Sequence, residues 1–199
     1  PVLKLKVGGP DDRQNLAALR DEAPTKPVRV DANEAWKTKE EALKNLEWLA
    51  QDRHIQFVEQ PMPASTKLED LAWLKARTPL PIMGDESYLS AHDAGQCAEA
   101  FHSVNVKLVK SGGISAGYAA LQAARKAGLK TMLGCMIESS VLISAAAHLA
   151  ELTDYLDIDG NLLITNDPYE GVSAEQGLVS FARSPGLVGL RVAPRRRTK

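Results

Sequence analysis

The 199-residue chain is poor in cysteine: Cys97 and Cys135 are the only two, and no C-x-x-C is present. That excludes a disulfide scaffold and a cysteine-rich zinc site, and it fits a reducing compartment, here expected to be the cytoplasm. Aromatic residues are also scarce, at 5%. Neither sign of charge is in excess, since 24 Lys+Arg stand against 25 Asp+Glu for a formal net charge of −1. The chain therefore carries no global field for drawing in nucleic acid or an anionic membrane. Its longest apolar runs fall far short of the roughly 20 residues a bilayer helix needs, and no charged-then-apolar leader opens it. No nucleic-acid or membrane partner is expected, so partners have to be argued from a site. What is present, 44% hydrophobic and 25% charged residues, describes an ordinary globular chain. It begins at Pro1, not Met, directly in the strand-like run 2–7, from which we expect an N-terminal part to be missing.

Short β-branched or aliphatic runs alternate with longer amphipathic stretches, the pattern of βα units around a parallel sheet. Strands are expected at 3–7, 28–31, 55–59, 80–84, 104–108, 130–134 and 155–159, with helices near 11–23, 37–51, 67–77, 90–100, 114–127 and 139–152. In the second helix Ala42, Leu43, Leu46, Leu49 and Ala50 recur at helical spacing, with Lys37, Lys39, Glu40, Lys44 and Glu47 on the other face. The polar residues closing successive strands, Lys6, Asp31, Glu59, Asp85, Lys107, Cys135 and Asp157, are 22 to 28 residues apart. So regular a spacing favours an α/β fold of the (β/α) barrel type over an open doubly wound sheet. A closed barrel has eight strands where seven are legible, and an open array would leave two unpaired edges, so a first βα unit is expected before Pro1. The barrel portion is assigned to 1–189, with short apolar pieces at 162–164 and 178–181 read as a closing strand or hairpin. The basic stretch 190–199 is read as a frayed, solvated tail.

Side chains at the carboxyl ends of barrel strands converge on one mouth. Asp31, Glu59 and Asp85 stand there after three consecutive strands, in the contexts Val-Asp-Ala-Asn-Glu, Val-Glu-Gln-Pro and Gly-Asp-Glu-Ser. Three such carboxylates would repel unless a cation joined them, and oxygen ligands with open positions suit Mg²⁺. Lys4 and Lys6 share a strand face, and Lys107 ends the fifth strand. An ammonium beside a divalent cation and other lysines loses its proton more readily, which is how a lysine acts as a base near neutral pH.

Lys4-Leu-Lys6, Asp31-Ala-Asn33, Glu59-Gln60-Pro61, Asp85-Glu86-Ser87 and Lys107-Leu-Val-Lys110-Ser-Gly-Gly together resemble the enolase superfamily, in its muconate-lactonizing subgroup. The match runs in order over nearly the whole chain, with one motif per strand, and covers only the C-terminal barrel portion of such proteins. The resemblance implies one Mg²⁺ held by Asp31, Glu59 and Asp85 and bound to a substrate carboxylate. It implies Lys6 and Lys107 as acid/base catalysts on opposite faces of the α-carbon, Lys4 assisting near the substrate carboxylate, and Asn33, Gln60 and Glu86 behind these groups. Removing a proton beside a carboxylate creates an enediolate whose charge a divalent ion stabilises. Return of a proton to the other face gives racemisation or epimerisation.

Within the subgroup, Asp157-Ile-Asp159 on the seventh strand is similar to the Asp-x-Asp that binds the substrate ammonium in dipeptide epimerases; capping or a turn at Asp159-Gly160-Asn161 is the alternative. The sixth-strand motif Gly134-Cys135-Met136-Ile137-Glu138-Ser139 resembles the same enzymes, with Cys135 and Ile137 as substrate-lining groups. Cys135 is not expected to be a nucleophile, because no His lies in its motif. The function implied is a Mg²⁺-dependent epimerase acting on dipeptides such as Ala-Glu. Rivals sharing the site are N-acylamino acid racemase, o-succinylbenzoate synthase and muconate-type cycloisomerase; a rival of another class is an inactive barrel fragment needing its missing N-terminal part. The resemblance also implies a homo-oligomer in the full-length form and a separate N-terminal α+β capping domain that supplies specificity contacts. His148 is read as a helix-packing residue, and Trp36 as either a wall of the mouth or a core residue.

Overall fold

A computed structural model describes residues 2–186 and 188–195. All seven expected strands form: β1 (Leu3–Lys6), β2 (Val28–Asp31), β3 (Ile55–Glu59), β4 (Ile82–Gly84), β5 (Ser103–Lys107), β6 (Lys130–Gly134) and β7 (Tyr155–Asp157), following chain order in one sheet. Between them run α1 (Asp12–Glu22), α2 (Lys39–Leu49), α3 (Leu68–Lys75), α4 (Ala94–Ala100), α5 (Leu108–Ser111), α6 (Ile114–Lys126) and, before β7, α7 (Ser140–Ala147). The βα alternation read from periodicity is thus the architecture. No helix among the described residues is long and apolar enough to cross a membrane.

The chain resolves into two compact units. The first comprises residues 1–88, 93–104 and 127–129. Its strands pair in parallel, and the register sets Lys6 opposite Asp31, Asp31 opposite Glu59, and Glu59 opposite Met83. Parallel strands entered from the same side end level, so the polar residue closing each one falls into a row across the sheet. Beneath that row Val28, Val30, Ala42, Leu46, Leu49, Leu74 and Ile82 are fully buried. Helix α2 forms because Ala42, Leu46 and Leu49 fall on one face, and Thr38 caps it by accepting from Glu41 N at 3.1 Å. Strand β4 starts at Ile82, two residues later than expected, because Pro81 has no N–H to give the ladder; its carbonyl still accepts from Val58 N. Trp36 is 3% exposed and belongs to the core.

The second unit comprises residues 89–92, 105–126 and 130–199. Leu108, expected as the last residue of the fifth strand, instead opens a helical turn, α5, closed by Gly112 and Gly113. Both glycines have positive φ, 94° and 116°, and both N–H groups bond the Leu108 carbonyl, a geometry open to glycine and strained for other residues. Gly160–Leu163 forms a single 3₁₀ turn, which includes the turn residues Gly160 and Asn161 but also most of 162–164, read as a closing strand or hairpin; the second apolar piece does build a hairpin, β9 (Ser173–Glu175) against β10 (Leu178–Ser180). Part of the stretch 190–199, expected as a tail, is ordered in a strand. Ala193–Pro194 (β11) pairs antiparallel with Tyr169–Glu170 (β8), and Arg195 Nε donates to the Tyr169 carbonyl at 2.8 Å. The remainder, 196–199, lies outside the described residues. His148 caps the C-terminus of α7 and stacks on Phe181 with ring centroids 4.6 Å apart, the packing role expected of it.

Helix α7 takes no cap from its own Ser139. Instead Asp167 reaches it from 27 residues along the chain, accepting from Ser140 N at 2.7 Å and Ser140 Oγ at 2.6 Å, and also from Tyr169 N. Burial pushes the Asp167 carboxyl up, but the Ser140 and Tyr169 donors and the Arg195 charge outweigh it and hold the group below its ordinary 3.8. A carboxyl depressed in the folded state contributes stability that is complete above its ordinary value and is lost as pH falls through the folded one. Two outcomes follow for denaturant titrations. The stability difference between wild type and Asp167→Asn is expected to be largest above about pH 5 and to shrink toward pH 2; a constant difference would contradict the assignment. Leu46→Ala is expected to cost about 2–5 kcal/mol at any pH.

Candidate active site

In the first unit the carboxyl end of the sheet gathers most of the residues singled out in the sequence. Asp31, Glu59 and Asp85 are buried, each 2% exposed or less. Lys4 Nζ lies 3.1 Å from Asp31 Oδ2 and 3.0 Å from Glu59 Oε2, so one ammonium spans two acids. Lys6 Nζ lies 2.8 Å from the same Asp31 oxygen and donates to Asn33 Oδ1 at 3.0 Å. Asn33 passes the chain of contacts on, its Nδ2 donating to Glu86 Oε1 at 3.0 Å while its N–H returns to Asp31 Oδ1. Leaving such acids buried without cations would cost several kcal/mol each. The alternation that puts Lys4 and Lys6 on one face answers that cost.

Asp85 is placed by Gln60, which is itself fully buried. Gln60 Oε1 accepts from Asp85 N at 2.8 Å and Ser87 N at 3.3 Å, and Nε2 donates to Met62 O at 2.8 Å and Ser87 Oγ at 2.9 Å. One side-chain amide therefore fastens the end of β3 to the end of β4. The backbone around the row is strained, with non-glycine residues Asn33, Glu34 and Gln60 at φ of 49°, 66° and 35°. Such conformations cost about 1–3 kcal/mol each and cluster at functional sites.

The second unit carries the rest. Lys107 closes β5, is 8% exposed, and donates to Met136 Sδ at 3.6 Å. Met136 N donates to Glu138 Oε1 at 2.8 Å. Burial pushes the Glu138 carboxyl up, opposed by that N–H and by the Lys107 charge. Asp157 sits opposite Gly134 in the β6–β7 register, which brings it beside the residue after Gly134, Cys135. Burial pushes the Cys135 thiol up to about 11; the Gly160 N–H works against this, and the charges of Asp157, Glu138 and Asp159 add to it. A thiol so placed is neutral near pH 7 and is no nucleophile, as its motif suggested. Ile137 is 67% exposed. Met136, Glu138 and Gly160 were not singled out in the sequence. The signal for the first two lay in their motif, and Gly160 was legible only as a turn residue.

The chemistry of the first-unit acids fits a hard cation: three buried carboxylates from adjacent strand ends supply oxygen donors of the type Mg²⁺ prefers. Among the described residues no three His, Cys, Asp or Glu side chains stand together as a ready ligand set, and lysine ammonium groups are seated on the Asp31 and Glu59 oxygens. Residues 1–193 match the model of the enolase C-terminal domain-like family. The chain belongs to that family. Its fold is accordingly the TIM-like α/β fold of enolase C-terminal domains. The chain is 71% identical over 192 residues to an L-Ala-D/L-amino acid epimerase from Pedosphaera parvula, covering 96% of this chain and 55% of that protein. Among solved structures, the substrate-liganded L-Ala-D/L-Glu epimerase of Bacillus subtilis superposes with a TM-score of 0.85 at 30% identity, over 97% of this chain and 55% of that one. The Cytophaga hutchinsonii dipeptide epimerase, complexed with Mg and D-Ala-L-Val, gives 0.88 at 30%, over 98% and 54%. The chain thus spans about half the length of these enolase relatives.

Gln60→Leu keeps the volume and removes the amide, stranding the Asp85 and Ser87 N–H groups in a buried site. It is expected to lower stability by about 2–4 kcal/mol, measurable by urea unfolding.

Proposed function

We propose that this protein is a Mg²⁺-dependent dipeptide epimerase, acting on Ala-Glu or related dipeptides and inverting the α-carbon next to the carboxylate. The observation that carries the reading is the row Lys6–Asp31–Glu59, level across parallel strands, with Lys4 spanning its two buried acids. Asp31, Glu59 and Asp85 would hold Mg²⁺, which when bound stabilises the negative charge that develops on the substrate carboxylate as the α-proton leaves. Lys6 and Lys107 are the proton carriers. One amine takes the α-proton and becomes an ammonium, and the other, starting as an ammonium, delivers its proton to the opposite face. The substrate keeps its atoms and changes hand. Asp157 and Asp159 take the free ammonium of the dipeptide, as their position around a neutral thiol favours a cationic group. The names of the relatives support the substrate class. The two unpaired cysteines agree with a cytoplasmic location.

Each of Lys6→Met and Lys107→Met in the intact protein is expected to reduce epimerisation by about 10²-fold or more, while exchanging the α-proton in D₂O from at most one stereoisomer. Normal epimerisation by both variants would defeat the two-lysine mechanism. Mg²⁺ is expected to raise the Tm of wild type and not of Asp85→Asn. In a substrate screen, activity on N-succinylamino acids with none on dipeptides would refute the ammonium role of the Asp157/Asp159 pair.

A further inference from the structure

The strand end that carries Asp157 and Asp159 is docked on the loop after β6 at three places. Gly160 is buried, and a Cβ built on it would overlap the Met136 carbonyl oxygen and lie 3.1 Å from Cys135 Sγ. Its N–H donates to the Cys135 thiol. Asn161 Nδ2 donates to Ser140 Oγ at 3.4 Å, and Asp167 accepts from the same hydroxyl. Of the three, only the first touches residues next to the reacting groups, since Met136 carries the sulfur that accepts from Lys107. The φ of Gly160 is not in the left-handed region, so the requirement for glycine here is one of space and not of backbone conformation.

We propose that Gly160 is a positioning residue that fixes the spacing between the Asp157/Asp159 pair and the Met136–Lys107 contact, and so selects substrates whose free amine and α-carbon lie one dipeptide apart. This rests on the dipeptide reading above. β7 ends at Asp157, Ile158 is 3% exposed and anchors the chain in the core, and Asp159 follows it as the exposed N-cap of the 3₁₀ turn. The turn that begins at Gly160, with Leu162 N on the Asp159 carbonyl at 2.9 Å, holds Asp159 in place behind them. A side chain at 160 has to push this turn off the Met136 carbonyl, and the acids move with it. An N-acylated substrate, which offers no ammonium, does not depend on that spacing.

The test is alkylation of Cys135 by iodoacetamide at pH 9 in the intact protein, mapped by mass spectrometry, with buried Cys97 as an internal reference. Gly160→Ala is expected to speed Cys135 modification at least several-fold, because the covering N–H is displaced. In wild type, L-Ala-L-Glu is expected to protect Cys135 at a concentration at least tenfold lower than N-acetyl-L-Ala-L-Glu does, and in Gly160→Ala that advantage falls below threefold. Unchanged alkylation and an unchanged advantage in the variant overturn the proposal. If wild type shows no preference for the free dipeptide, the dipeptide reading fails with the selectivity assigned to Gly160, while the alkylation rates still decide whether the contact positions the loop. Should Gly160→Ala not fold, Cys135→Ala removes the N–H···S contact without added bulk. Its calorimetric Kd for L-Ala-L-Glu is expected to weaken several-fold, and an unchanged Kd overturns the proposal.

Discussion

Everything at the carboxyl end of the first unit depends on burying acids beside one another. The parallel register brings Asp31 and Glu59 level, and the strands on which they stand are too apolar to leave them in water. Coulomb repulsion between two carboxylates at close range amounts to several kcal/mol in a protein interior of moderate dielectric. The fold meets it with Lys4 and Lys6, whose spacing of two puts both ammonium groups on the face where the acids point. These lysines are therefore part of the reason the sheet can exist in this register as well as candidates for its chemistry. Their exposure differs in the same sense: the Lys4 side chain is 30% exposed and that of Lys6 62%. The more enclosed ammonium spans two acids, and the more open one is placed to exchange a proton.

The second unit solves a related problem by the opposite route. Around Cys135 three acids, Asp157, Glu138 and Asp159, act on a group that stays neutral. Lys107 acts on one of them, Glu138, whose carboxyl burial nonetheless pushes up. Met136 stands between this acidic group and Lys107, with its sulfur toward the ammonium and its backbone carbonyl toward Gly160. A thioether is a weak acceptor that neutralises nothing.

Most of the fold was legible because each strand is a short β-branched run between amphipathic segments, and the carboxyl-end polar residues recur at one spacing. The candidate site was legible for a similar reason: residues such as Lys6, Asp31 and Lys107 are of the types, and in the order, that the proposed chemistry needs. What escaped was set by contacts with no local signature. Pro81 was counted into a strand although it cannot donate to one. Leu108 was counted into the fifth strand because the apolar run continues through it, although a helical turn begins there. The fourfold use of the Gln60 amide depends on where Met62, Asp85 and Ser87 come to lie, and the Asp167 cap on α7 spans 27 residues. Ala193–Pro194 joins a strand through a partner no periodicity could name.

The register has a consequence for how the chain assembles. The strand pairings of the first unit join partners 20 to 28 residues apart in sequence, so none of these pairings waits for a remote partner, and the entropy of loop closure is nearly the same at each addition. A ribosome delivering about 5–20 residues per second presents one such strand every few seconds. Lys4 and Lys6 precede every acid they neutralise. As Asp31 and then Glu59 emerge and dock, the lysines that pair with them are already in the sheet, so neither acid has to be buried before its cation has been made.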